Sequence, residues 1–103
     1  MLPLRISIVT YNIWLTERWA VRAPALRGFL DAFSPDVLCL QELRPESRGF
    51  IDSALPAHTR VDDPYRGWVT ESNIYWRDAL FAPIEHGAEE VGIPDGDRRL
   101  FWV

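Results

Sequence analysis

Ser34-Pro35-Asp36-Val37-Leu38-Cys39-Leu40-Gln41-Glu42-Leu43-Arg44 carries three signals in succession. Pro35 has no N–H and biases Ser34 away from the α region, so a preceding helix ends here. Val37 to Leu40 is an uninterrupted apolar run with a β-branched start. It suits a strand buried on both faces, although a buried helix segment shares the pattern on periodicity alone. Gln41, Glu42 and Arg44 follow at the point where such a strand surfaces. In open α/β sheets ligands collect at the carboxyl ends of strands, so a carboxylate and a guanidinium there form a candidate site.

On the N-terminal side, Arg5 to Tyr11 alternates, with Ile6, Ile8 and Thr10 on one face and Ser7, Val9 and Tyr11 on the other. Both sets are β-formers, which predicts a strand covered on both sides and closed by Asn12. Pro24 fits the first turn of a helix, where its missing N–H costs little. Leu26, Phe29, Leu30 and Phe33 follow at i, i+3, i+4, i+7 spacing and predict a core-facing helical stripe. Strand, helix and strand make a βαβ unit, whose crossover is right-handed almost without exception. If the two parallel strands are neighbours, their carboxyl ends lie about 5 Å apart, and Asn12 and Glu42 face one crevice.

On the C-terminal side a short helix is expected over Glu46 to Leu55, stopped by Pro56, and a strand over Thr59 to Val61. Asp62 to Gly67 has the composition of a turn. Trp68 to Glu71 and Asn73 to Trp76 read as strand pieces, joined by Arg77-Asp78 to an extended segment, Ala79 to Val91, with breaks at Pro83 and Gly87. Pro94-Asp95-Gly96-Asp97 is a further turn, and Leu100 to Val103 begins a fresh apolar strand.

With 103 residues the chain makes one small domain, and 48% apolar content with 13% aromatic residues supports a real core. A net charge of −4 leaves no basic footprint, which weighs against tight non-specific nucleic-acid binding. Cys39 is the lone cysteine and reads as a small buried hydrophobe, without a disulfide. Met1 to Arg5 has no signal-peptide pattern, and no window approaches the ~18 apolar residues of a membrane span. The chain is therefore expected to be soluble and cytoplasmic. A terminal apolar strand needs a neighbour to cover it, so a domain truncated at its C-terminus is expected over 1–103.

Ser7-Ile8-Val9-Thr10-Tyr11-Asn12-Ile13-Trp14 and Ser34 through Arg44 resemble the first two motifs of the endonuclease/exonuclease/phosphatase superfamily. Glu71-Ser72-Asn73-Ile74-Tyr75-Trp76 is similar to its third motif, and Arg98 through Val103 to the strand that leads toward its catalytic histidine. The resemblance covers essentially the whole chain and the first half of a family domain. It implies an α/β fold, the N-terminal half of a four-layer α/β/β/α sandwich of the pancreatic deoxyribonuclease type. It also implies a divalent-metal-dependent phosphoester hydrolase, with Mg2+ (or Mn2+) held by Glu42 and Asn12. Arg44 and Arg98 match phosphate-facing positions, and Glu71 matches a carboxylate that orients the catalytic histidine. The residue types suit the chemistry. Mg2+ takes oxygen ligands and only one or two protein carboxylates beside substrate phosphate, and guanidinium forks match phosphate oxygens.

The departures from the family are equally specific. Its histidine paired with aspartate, its Asp-x-Asn element and its late Ser-Asp-His-type motif do not occur in the chain. His58, beside a loop, and His86, at a turn, are not substitutes. Without proton-transfer groups the polypeptide alone is expected to be inactive. Two functions follow. One is a fragment of a phosphoester hydrolase acting on nucleic acid, a phospholipid headgroup or an inositol or sugar phosphate, completed by the missing C-terminal half. The alternative is an inactive remnant or protein-interaction module.

Overall fold

The alternating stretch at the N-terminus forms β1 (Ile8–Asn12), and the run after Pro35 forms β2 (Val37–Gln41). The computed structural model describes residues 4–94, 96 and 98–103. Between the two strands lies α1 (Trp19–Phe33). Then come α2 (Pro45–Ala54), β3 (His58–Arg60), a single helical turn α3 (Gly67–Thr70), β4 (Ser72–Arg77), β5 (Gly87–Glu90) and β6 (Arg99–Trp102). Strands β1, β2, β4 and β3 lie in that order in one sheet, and β5 and β6 form a separate antiparallel pair. β1 and β2 are parallel, with Asn12 opposite Gln41, while β4 runs antiparallel to both β2 and β3. The expected βαβ unit is therefore present. The turn expected at Pro94 to Asp97 includes Asp95 and Asp97, which lie outside the described residues.

The layers follow from the register. Val9, Leu38, Leu40 and Tyr75 share the sheet face that packs on α1 and α2, through Trp19, Ala23, Leu26, Leu30, Ile51 and Ala54. On the opposite face Trp76 joins Val61 and Trp68, with Phe101 and Ala88 of the β5–β6 pair against them. Helices, sheet and second sheet make three successive layers of an α/β sandwich.

Several local expectations are corrected. Pro24 is inside α1, not in its first turn, because the helix already starts at Trp19. Trp19 is buried edge-on against Phe50, at 5.3 Å between ring centroids, which holds the earlier turn in place. Pro24 is tolerated because it faces solvent, where water can take the carbonyl its missing N–H leaves open. Phe33 is 69% exposed against an expected core position, and the buried stripe is Trp19, Ala23, Leu26 and Leu30. The segment expected as a strand over Trp68 to Glu71 is mostly the α3 turn. The Asn73 amide captures the Trp68 carbonyl at 2.9 Å, and burial of the Trp68 ring fixes the turn. Gly87, expected as a break, starts β5, where the Trp102 indole occupies the space a Cβ would need. His58, expected beside a loop, is the first residue of β3.

Two-sided burial of β1 and β2 is also corrected. Leu38 and Leu40 are buried, Val37 and Cys39 are half-buried, and Ile8 is 69% exposed. The β5–β6 pair covers the β4 side of that face and leaves β1 bare. A cleft of about 500 Å³ between Val37, Ile74, Trp76, Phe81 and Trp102 marks the boundary.

Asp36 explains the Ser-Pro-Asp signature. Its carboxylate accepts the Ser7 N–H (2.9 Å) and Arg77 Nε–H (2.9 Å), and its own N–H donates to Ser7 Oγ (2.9 Å). Arg77 also donates to the Ser34 carbonyl and hydroxyl. This bracket clamps β1, β2 and β4 at the end of the sheet opposite the carboxyl ends of β1 and β2.

Candidate active site

At those carboxyl ends the parallel pair continues as two zipped loops. Ile13 N–H donates to the Gln41 carbonyl (2.9 Å) and Leu15 N–H to the Glu42 carbonyl (3.1 Å). Leu43 N–H donates to the Glu71 carbonyl (3.0 Å), which draws the start of β4 alongside. These three backbone bonds bring Asn12, Glu42 and Glu71 to one rim. They line a cavity of about 490 Å³ together with Arg44, Ser72 and Arg98. All five site residues expected from the sequence thus meet in one place.

Glu42 is the most unusual of them. Its φ of 56° is a left-handed conformation that L-residues other than glycine, asparagine and aspartate rarely adopt. The side chain is exposed, and its carboxylate has no hydrogen-bond or ion-pair partner among the described residues. Strain of this kind persists where surrounding bonds over-determine the backbone, and it clusters at functional sites.

The other four residues are held in distinct ways. Asn12 Oδ1 accepts the Trp14 N–H at 2.8 Å. That contact fixes the amide orientation, since only the oxygen can accept, and leaves the Nδ2 hydrogens for the cavity. Arg44 Nη1 donates to the carbonyls of Leu43 (2.8 Å) and Thr70 (2.5 Å), so the side chain straps the β2 exit to α3. Its Nε and Nη2 have no partner among the described residues. Glu71 Oε2 lies 3.5 Å from the Tyr65 hydroxyl, which donates to it. Gly67 lies beneath this pair, where an added Cβ would collide with the Tyr65 ring and the Glu71 carboxylate. Arg98 is exposed, and its side chain is unbonded among the described residues.

Sequence reasoning missed the residues that hold this arrangement. Asn73 is buried and fully satisfied. Its Oδ1 accepts the Val61 N–H (3.1 Å), and its Nδ2 donates to Val61 O (3.0 Å) and Trp68 O (2.9 Å). It stood inside the third quoted motif, which was the available signal. Tyr65 stacks on Phe101 at 6.3 Å, and Arg99 lies over its ring at 5.2 Å. Nothing in its turn-like surroundings announced that.

Neither histidine lines the cavity. His58 Nε2 lies 2.6 Å from the Pro35 carbonyl, near the Asp36 bracket. His86 pairs with Asp63 at 2.8 Å and sits edge-on to Trp68. Among the described residues no group of three His, Cys, Asp or Glu side chains converges as a closed metal site. The cavity instead combines two carboxylates, the amides of Asn12 and Gln41, and guanidinium groups.

The fold is thus half of an α/β sandwich with this cavity at its strand ends. The endonuclease/exonuclease/phosphatase family model matches residues 9–103, and the chain belongs to that family. No curated protein matches it in sequence. Among solved structures it is similar to humanized D. rerio TDP2, at 23% identity and TM-score 0.74, over 93% of this chain and 39% of that one. It is also similar to D. rerio TDP2 complexed with single strand DNA product, at 23% identity and TM-score 0.71, over 93% and 38% of the two chains. A third is the mannosyl-6-phosphatase of Bacteroides thetaiotaomicron, at 21% identity and TM-score 0.68, over 82% and 36%. The chain therefore spans about two fifths of the length of these structures.

Proposed function

We propose that the chain supplies the metal- and phosphate-binding half of a phosphoester hydrolase. The observation that carries this reading is the meeting of the strained, unpartnered Glu42 with Asn12, Glu71, Arg44 and Arg98 on one cavity. An oxygen-only donor set with few carboxylates fits Mg2+ or Mn2+ and not a closed zinc site. Glu42 would hold the ion, which would supply charge neutralisation at the phosphoryl oxygens. Asn12 Nδ2, Arg98 and the uncommitted donors of Arg44 bind the remaining phosphate oxygens. Glu71, steadied by Tyr65, orients a proton-transfer group contributed by the rest of the domain. The 103 residues alone bind without turning over.

The structural neighbours leave nucleic acid and phosphorylated sugars as the leading substrate classes, since they include a TDP2 with single strand DNA product and a mannosyl-6-phosphatase. Lipid and inositol phosphates belong to the same chemistry. The second reading, a non-catalytic interaction module, has support in the bare apolar face at Ile8. Calorimetric titration of Mg2+ and inorganic phosphate separates the two. Saturable Mg2+ binding that Glu42→Ala abolishes supports the hydrolase half. Absence of any Mg2+ or phosphate binding overturns it. In a polypeptide carrying the complete domain, Glu42→Ala or EDTA should lower hydrolysis by at least about 100-fold, since even residues behind the ligands cost 10–100-fold.

A further inference from the structure

We propose that Arg22 is a positioning residue for the Mg2+ site, holding the loop at 13–18 whose N–H groups fix Asn12 and Glu42. The inference rests on the metal reading of Glu42 given above. It deepens that reading by assigning what keeps the ligand in its left-handed conformation.

Glu42 does not hold a φ of 56° unaided, because strain of this kind persists only where neighbouring bonds over-determine the backbone. Its carbonyl accepts the Leu15 N–H (3.1 Å), and Asn12 Oδ1 accepts the Trp14 N–H (2.8 Å). Both donors belong to residues that are themselves left-handed, with φ of 54° at Leu15 and 58° at Trp14. Arg18 follows at 51°. A loop with such residues has no conformational stability to lend, so its shape has to be imposed from outside.

Arg22 supplies that constraint. Its Nη1 donates to the Ile13 carbonyl (2.6 Å), its Nη2 to the Trp14 carbonyl (3.3 Å) and its Nε to the Glu17 carbonyl (2.7 Å). One planar fork thus meets three carbonyls around the left-handed pair, which the point-like ammonium of a lysine does not reproduce. The guanidinium carbon lies 5.4 Å from the Trp14 ring centroid and 5.8 Å from that of Trp19, so cation–π attraction adds to the hydrogen bonds. Among the described residues no carboxylate pairs with Arg22, which leaves its charge to strengthen the bonds to the carbonyls. Arg22 is itself anchored. Its N–H donates to the Arg18 carbonyl (3.1 Å), and buried Trp19, Ala23, Leu26 and Leu30 seat its helix. The core therefore reaches the ligand through α1, Arg22, the loop and the Glu42 carbonyl in turn.

The test titrates the 103-residue chain with Mg2+ by calorimetry, for the parent, Arg22→Met and Arg22→Lys. Arg22→Met keeps an apolar stem beside the two indoles and removes every donor. Arg22→Lys keeps the charge without the fork, and carries the same readings if the methionine variant does not fold. Mg2+ affinity should fall about 10- to 100-fold in Arg22→Met, as for other groups behind a metal ligand, and stay below that of the parent in Arg22→Lys. In the metal-free variants the nuclear magnetic resonance coupling across the Leu15 N–H to Glu42 carbonyl bond should weaken or vanish. The coupling across the Leu43 N–H to Glu71 carbonyl bond should persist. Methylguanidinium in the buffer, and not methylammonium, should restore both affinity and coupling to Arg22→Met. Parent-like Mg2+ affinity in either folded variant overturns the positioning role and leaves the Glu42 site standing. Loss of both couplings in folded Arg22→Lys makes Arg22 a general stabiliser and overturns the role as well. Absence of Mg2+ binding by the parent overturns the metal reading and this inference with it.

Discussion

Glu42 occupies a backbone conformation in which glycine would be at ease and glutamate is not. Glu42→Gly should therefore raise unfolding free energy by about 1 kcal/mol while abolishing Mg2+ binding. Urea unfolding and calorimetry on the same variant read the two effects, and a less stable variant would show that the conformation carries no strain. Asn73 presents the opposite case, a polar side chain whose whole value is structural. Asn73→Ala strands a buried N–H and leaves two carbonyls without their donor. The expected cost is roughly 3 kcal/mol. Because Asn73 also fixes α3, the Tyr65–Glu71 contact should loosen with it, visible as loss of the Tyr65 ring-current shifts on Phe101.

At the scale of elements, the strand bracket gives the acid limb of stability a specific origin. The Asp36 carboxyl is held below its ordinary value by the Ser7 N–H first and the Arg77 guanidinium next. Asp63 is lowered by His86 and by the Tyr65 N–H. For Asp52 burial pushes upward, and the hydrogen bonds from Arg60 and Tyr75 outweigh it. A lowered carboxylate contributes stability that is present above the unfolded pKa, about 3.9, and is lost as pH falls through the folded value. Stability should hold from neutral pH to about pH 5 and decline below about pH 4. Asp36→Asn should flatten that decline, measured by circular dichroism during acid titration; an unchanged acid limb would remove Asp36 from the account. The bracket also shows what was legible. Ser34-Pro35-Asp36 and the apolar run after it were enough to place β2, its parallel partner β1 and the convergence of Asn12 with Glu42. They were not enough for α3, because Trp68 to Glu71 has strand-like composition, and its turn depends on Asn73 and on burial of the Trp68 ring. Phe33 fitted a helical stripe whose true phase is set by Trp19, a residue before the expected helix. The cavity was legible in Asn12, Glu42, Arg44, Glu71 and Arg98, which line it, and not in Tyr65, which meets Glu71 only through loop packing.

For the molecule as a whole, one sheet face is half dressed. The helices cover one side, the β5–β6 pair covers the β4 part of the other, and Ile6 and Ile8 remain 40% and 69% exposed. The isolated chain should therefore associate as concentration rises and bind an apolar dye. Ile8→Lys should reduce both in sedimentation and fluorescence measurements without lowering the melting temperature by more than a few degrees; unchanged association would place the sticky surface elsewhere. The bracket and the cavity sit at opposite ends of the same strand, which makes β2 a ruler. Its five residues put six residue steps between Asp36 and Glu42, about 20 Å of extended chain. Inserting one residue would turn Glu42 to the other side of the sheet, and inserting two would restore its side but push it beyond Asn12 by more than 6 Å. The distance from clamp to carboxylate is thus a quantity this chain cannot vary in steps of one.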